Sequence, residues 1–266
     1  MPFFTNDGVK IYYEIEGEGP PVVMIHGWGA SLGINWKATN WVRHLKDDYQ
    51  LILLDCRGHG KSDKPLDPNQ YGYKNMSSDI TELVAYLSIE TANFFGYSMG
   101  SGLTFYLLLK KPQLFKSAIL GGYVFRMPED AGRTLSENQT LKMIEALKAE
   151  SYRQVRDPMG RGFRRFAEIM GGNLEALAGA MSTFLESPFG SAISTAEVKT
   201  TLKSIKIPIM TVVGSDEFET GDKSLLAQLV PDACHFQIQG KDHLSAVPDP
   251  KFKMVVKAFL DYVNIN

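Results

Sequence analysis

The chain is predicted to adopt an α/β fold, a doubly wound and mostly parallel sheet, on three observations. Short apolar runs recur along it, each closed by a glycine or aspartate turn. Segments of helical length with 3.6-residue apolar spacing separate those runs. Alternation of this kind produces βαβ units with helices on both faces of one sheet. Of the 266 residues, 44% are hydrophobic, enough for one sizeable core.

Residues 9–15 alternate in polarity and read as a half-exposed early strand, before the break at Gly17, Gly19, Pro20 and Pro21. Residues 22–25 are continuously apolar, as expected of a strand buried on both faces. Equivalent runs follow at 51–54, ending in Asp55, at 92–95, ending in Gly96, and at 117–120, ending in Gly121. Two more lie at 207–213 and 234–238. Between them, residues 76–87 place Ile80, Leu83, Val84 and Leu87 on one helical face, and 102–109 and 252–262 are patterned similarly.

The rhythm breaks from Tyr123 to Ser204, where helical patterns at 136–149, 163–170 and 174–185 have no strand among them. A helical insert between parallel strands reads as a lid. The expected organisation is therefore a core of residues 1–122 and 205–266, with a helical cap over 123–204.

Charge limits the partners. Lys and Arg number 28 against 30 Asp and Glu, a formal net charge of −2. A balance that even argues against nucleic acid, which needs clustered positive charge, and against a polybasic membrane anchor. The two cysteines, Cys56 and Cys234, form no CxxC or metal-type spacing, and no His-Glu-x-x-His motif occurs, so neither a disulfide scaffold nor a catalytic metal is expected. No leader pattern opens the chain, and no apolar run approaches the roughly 20 residues of a membrane span. A cytoplasmic enzyme acting on a small molecule is the expectation. Oligomeric state does not follow from these residues.

The chemistry gathers at three places. Gly96-Tyr97-Ser98-Met99-Gly100 follows an apolar strand and precedes a helical run, the setting of a nucleophile elbow, with Ser98 as nucleophile. His26-Gly27-Trp28-Gly29 follows the strand at 22–25. Acyl transfer needs two backbone N–H donors where the carbonyl oxygen becomes anionic, and the amides of Trp28 and Met99 are the expected pair. His26, placed in that turn, is expected to brace it. A free serine hydroxyl is hardly ionised at neutral pH and needs an adjacent base. Of the histidines, His243 lies late in the chain in a loop after a strand, in the order nucleophile, acid, histidine. Asp216, first after the turn that follows 207–213 and shorter in side chain, is favoured to orient His243. Glu217 is its rival, with Asp222 and Asp242 as further options. The Gly-rich stretch 55–63 reads as a structural turn that Arg57 and Asp63 could fasten.

Together these motifs resemble the α/β-hydrolase superfamily over nearly the whole chain. The matching segments are the His26 loop, the Arg-Gly-His-Gly-x-Ser turn at 57–62, the elbow at 96–100 and the ending Asp242-His243. The resemblance implies an eight-stranded sheet, a cap inserted after the sixth strand, and catalysis without a cofactor. Its acid loop usually spaces glycine and carboxylate by two residues, which aligns Glu217; a one-residue deletion would restore Asp216. Ser101 stands where a glycine is common. A serine nucleophile argues against the dehalogenase and epoxide-hydrolase branches, which use aspartate.

The implied activity is cleavage of ester bonds in small, largely apolar substrates through an acyl-enzyme on Ser98. A lactonase, a carbon–carbon bond hydrolase and a cofactor-free perhydrolase are alternatives on the same residues, and a ligand receptor with a hydrolase pocket is a more distant one. The pocket is expected between Trp28 and cap residues such as Phe125, Met127, Phe163 and Phe184. Arg153, Arg156, Arg161, Arg164 and Arg165 make the cap locally basic.

Overall fold

A computed structural model describes residues 2–128, 137–190, 193–219 and 221–265. The apolar runs become strands β3 (Pro21–Ile25), β4 (Gln50–Leu54), β5 (Ala92–Tyr97), β6 (Phe115–Gly121), β7 (Ile209–Gly214) and β8 (Ala233–Ile238). Two earlier strands, β1 (Phe3–Asn6) and β2 (Val9–Glu16), complete an eight-stranded sheet in the order β1-β2-β4-β3-β5-β6-β7-β8. β1 with β2, and β2 with β4, pair antiparallel; every other neighbouring pair is parallel.

Successive side chains of a strand point to opposite faces, so a continuously apolar strand feeds two cores at once. Val23, Ile25, Ile52 and Leu54 enter one core with Ile80, Leu83, Leu103 and Phe105. These come from helices α2 (Gly72–Tyr86) and α3 (Met99–Lys110). Val22, Met24, Leu51 and Leu53 enter the other, with residues of α1 (Trp41–Leu45) and α9 (Pro250–Ile265). Trp41 centres that second core: its ring sits 4.9 Å from Phe95 and 5.0 Å from Phe252, and its indole N–H donates to Val247 O at 2.9 Å. Truncating such a residue to alanine costs about 3–5 kcal/mol.

Between β6 and β7 the described residues hold helices and no strand. They are α4 (Glu137–Lys148), a 3₁₀ turn over Tyr152–Gln154, α5 (Pro158–Ile169), α6 (Leu174–Ala180), a second 3₁₀ turn over Met181–Leu185, and α7 (Thr195–Ser204). Ser136, where the first of these helices was expected to start, lies outside the described residues. Pro158 at the first helical position and the Asp157 carboxylate, accepting from Gly160 N–H, start α5. Arg164 of α5 donates to Ala146 O at 2.8 Å and Ala149 O at 2.6 Å, capping the C-terminal end of α4. α4, α5 and α6 pack on one another, whereas α7 packs on α8 (Leu225–Leu229), between β7 and β8. Among the described residues no helix is long and apolar enough to cross a membrane.

Strand order reverses direction at β3, which has β4 on one side and β5 on the other. The loops leaving β3 and β5 therefore diverge and open a crevice at the carboxyl edge of the sheet, the place where open α/β sheets hold ligands.

Candidate active site

Ser98 sits at that crevice, between β5 and α3, with φ 54° and ψ −115°. The turn is tight enough that its glycines are obligatory. A Cβ on Gly96 would lie 2.2 Å from Gly100 O, and one on Gly100 would lie 2.0 Å from Ile25 O. Ser98 N–H donates to Gly121 O at 2.8 Å, anchoring the turn on β6. Ser101 is accommodated because its buried hydroxyl lies 2.8 Å from both Gly96 O and Gly121 O. Met99 opens α3, and a first-turn amide has no intrahelical acceptor.

The loop after β3 is held from several sides. The His26 ring is fully buried; Cys56 N–H donates to its Nε2 at 3.0 Å, so Nδ1 carries the hydrogen and donates to Gly27 O at 2.8 Å. Burial pushes its pKa down and keeps it neutral. Gly27 N–H donates to Asn35 Oδ1 at 3.0 Å. Asn35 belongs to a π-helical turn over Gly33–Lys37, a distortion frequently found at functional sites. Trp28 spans to the helical insert: its indole N–H donates to Leu177 O at 3.0 Å and its ring lies 5.4 Å from that of Phe163.

The third element corrects an expectation. Glu217, not Asp216, is the carboxylate paired with His243, with Oε1 and Oε2 at 2.8 and 2.9 Å from Nδ1. A carboxylate can only accept here, so Nδ1 carries the hydrogen, which in the neutral ring leaves the lone pair on Nε2. The Glu217 side chain is 1% exposed and that of His243 14%. The reason lies in how the chain leaves β7. Ser215 N–H still bonds Ile238 O, and Asp216 N–H bonds Lys241 O, which extends the contact with the β8 side past the strand end. Asp216 then faces outward and accepts from its neighbour Ser215 Oγ at 2.8 Å. Glu217 turns inward, and its extra methylene supplies the reach. Asp242 caps the His243 loop by accepting from Leu244 and Ser245 N–H; Asp222 accepts from Ser224 and Gln228 at the surface. The Tyr97 hydroxyl, whose pKa burial raises far above its ordinary value, donates to the His243 carbonyl.

Ser98, Trp28 and His243 line one cavity of about 520 Å³, a size typical of small-molecule sites. Phe163 and Phe184 line it as expected, joined by Phe166, Phe218 and Met181. Phe125 and Met127 do not; both are buried in the core beneath the insert. None of the cap arginines lines it: Arg164 is buried in its capping role, and Arg153, Arg156, Arg161 and Arg165 are exposed.

The turn at 55–63 supports the site from below. Arg57 pairs with Asp79, Nε to Oδ2 and Nη2 to Oδ1 both at 2.6 Å, and not with Asp63, which accepts from Lys10 N–H. Asp55 accepts from Leu32 and Lys61 N–H. His59 is buried against the His26 ring, and burial lowers its pKa to about 3. Asn35 and Glu219, which also line the cavity, carried no sequence signal, because each reaches it from an irregular segment and not through a spaced motif, and Tyr97 fills a variable position of the Gly-x-Ser-x-Gly pattern.

A serine hydroxyl, an imidazole with a free basic nitrogen and a buried carboxylate behind it can together move a proton onto a leaving group. Comparison with known proteins places the chain in context. The family profile for the alpha/beta hydrolase fold matches residues 20–175. A pimeloyl-[acyl-carrier protein] methyl ester esterase of Nitrosospira multiformis is 36% identical over 113 residues, 42% of this chain and 41% of that protein, so the chain spans about two-fifths of that relative's length. A non-heme chloroperoxidase of Kitasatospora aureofaciens is 27% identical over 98% of both chains. The solved structure of Est816, an N-acyl homoserine lactone degrading enzyme, superposes with a TM-score of 0.71 at 26% identity, covering 97% of this chain and 100% of that one.

Proposed function

The chain belongs to the α/β-hydrolase fold family, and on that premise we propose that it is a serine hydrolase that cleaves carboxylic esters of small, largely apolar substrates. The observation that carries this reading is the placement of Ser98 and of the Glu217-paired His243 on one apolar cavity at the strand crossover.

Ser98 Oγ attacks the ester carbonyl carbon while His243 Nε2 takes its proton. Glu217, accepting from Nδ1–H, fixes the tautomer and stabilises the imidazolium that forms. The Trp28 and Met99 amides donate to the oxyanion. Typically the loss of one such donor costs about 10²–10³ in kcat. The tetrahedral intermediate collapses, the C–O bond to the alcohol breaks, and His243 returns the proton to the departing alkoxide. Water then attacks the acyl-enzyme with His243 as base, releasing the acid and restoring Ser98. Helices α4 to α6 act as the cap that keeps bulk water from the acyl group. The test is a panel of short p-nitrophenyl esters on the wild type and Ser98→Ala. Loss of turnover in a folded Ser98→Ala supports the assignment, and retained esterase activity overturns it.

The full-length similarity to a chloroperoxidase favours one second reading. In a perhydrolase the acyl-enzyme passes its acyl group to hydrogen peroxide instead of water, giving a peracid. Peracid formed from acetate and peroxide faster than the ester is hydrolysed would favour it.

A further inference from the structure

Two residues beyond Glu217, the Glu219 carboxylate lines the same cavity. It is the acidic side chain among the lining residues, and no lysine or arginine lines the cavity among the described residues. Its counter-charge is off to one side: Arg126 Nη2 lies 3.3 Å from Glu219 Oε2, yet Arg126 is not itself part of the cavity wall. Both side chains are largely buried, 18% and 20% exposed. Glu219 thus borders the cavity and its cationic partner does not. Coulomb energy falls with distance, so a bound ligand feels the nearer carboxylate more than the guanidinium behind it, and in a site of low polarity that difference is weakly screened. The rest of the wall is largely aromatic and aliphatic, including Trp28, Phe163 and Phe218, with Asn35, Thr39, Ser98 and His243 as polar members. It welcomes neutral chains and, through the negative faces of the rings, ammonium groups, but among the described residues offers a second carboxylate no lysine or arginine.

We propose that Glu219 is a specificity-determining residue that makes the cavity a charge filter, admitting neutral and cationic ester substrates and rejecting those that carry a carboxylate. This rests on the reading of the cavity as an ester site, and deepens it by naming the substrate class. The net charge of −2 is too small to impose such a preference from the protein as a whole. Arg126 positions the Glu219 carboxylate.

Binding, separated from turnover, tests it. In the Ser98→Ala background, calorimetry compares methyl hexanoate, methyl 6-aminohexanoate and monomethyl adipate, which differ in charge at the far end of the acyl chain. A second series places the charge on the alcohol: butyl butanoate, butyrylcholine and O-butanoyl glycolate. In at least one series the anionic ester is expected to bind about tenfold or more weakly than the neutral one, with the cationic ester no weaker than about threefold. Glu219→Gln should erase most of that discrimination, and Glu219→Asp, which keeps the charge, should retain it. Loss in the first with retention in the second separates a charge filter from a structural ion pair, whose geometry both substitutions would break. Equal binding of neutral and anionic esters in both series, or discrimination that survives Glu219→Gln, overturns the proposal. Wild-type turnover of methyl hexanoate is read apart from these titrations. Its absence would count against ester hydrolysis while the binding order still decides the filter.

Discussion

Both carboxylate oxygens of Glu217 lie within hydrogen-bonding distance of one ring nitrogen of His243, Nδ1. The adjacent Asp216 is exposed and bonded to Ser215. The two acids next to each other in sequence therefore have opposite fates, and substitution separates them. Glu217→Gln, which can no longer accept from Nδ1–H through both oxygens, is expected to lower kcat by about 10³–10⁴ on a p-nitrophenyl ester. Asp216→Asn should stay within about threefold of wild type, as an exposed polar change away from the reacting groups does. A larger loss in Asp216→Asn than in Glu217→Gln would reverse the assignment.

Ser98 holds a backbone conformation with φ 54°, which side chains rarely adopt. Residues held this way store of order 1–3 kcal/mol of strain. Ser98→Gly should remove turnover and raise the melting temperature by about 2–4 °C, since roughly 1 kcal/mol of relief translates to that shift at this size. A lower melting temperature would mean that the turn is not strained.

Acid should weaken the fold through the buried histidines. Burial holds His59 near 3, against an ordinary value of 6.5, and lowers His26 in the same direction. Both rings stay neutral in the folded chain and take up a proton when it unfolds. Stability is thus intact above about pH 6.5 and declines as pH falls, and His59 alone contributes a loss of about 2 kcal/mol by pH 5. Urea midpoints at pH 7 and pH 5 measure it, and His59→Asn should reduce the difference. A midpoint independent of pH in this window would contradict the neutral, buried rings.

The Arg57–Asp79 pair is buried on both sides, 3% and 1% exposed. Breaking it by Asp79→Asn leaves a buried guanidinium without its counter-charge and should cost about 3–5 kcal/mol. The double variant Arg57→Met with Asp79→Leu should recover much of that loss, read by urea denaturation.

Trp28 ties the loop after β3 to α6 through Leu177 O. Trp28→Phe keeps most of the ring but removes that donor; Leu177 O keeps its helical partner, Met181 N–H, so the cost is that of one hydrogen bond, about 0.5–1.5 kcal/mol. Hydrogen exchange over residues 174–185 should quicken, and KM for neutral esters should rise more than kcat falls. Unchanged exchange there would show that the bond does not hold the insert.

What the sequence made legible follows from which residues act through a repeated pattern. The parallel strands were readable because burial on both faces leaves an apolar run, as at Val22 to Ile25 and Leu51 to Leu54. β1, half exposed at the sheet edge, has no such run. The places of Ser98 and His243 on the cavity were readable because Ser98 lies in the glycine-flanked turn from β5 to α3 and His243 in the loop after β8. The choice between Asp216 and Glu217 was not. It depends on how far backbone pairing continues past Gly214, which two adjacent acidic residues do not encode. Expectations for the pocket divided similarly. Phe163 and Phe184 face the cavity from helical segments while Phe125 and Met127 pack beneath it in the irregular stretch after β6, a difference that composition does not register.

Tyr97 is the immediate neighbour of Ser98, and its hydroxyl grips the backbone of His243. The proposed nucleophile and base come from chain segments far apart in sequence, yet this one side chain couples them like a rigid link in a mechanism. Any motion that carries the His243 loop away pulls on the same strand that carries Ser98. Alignment of the pair is then inherited from β5, a strand all six of whose residues are buried. The spacing of Ser98 and His243 then depends on the sheet more than on the helices above it.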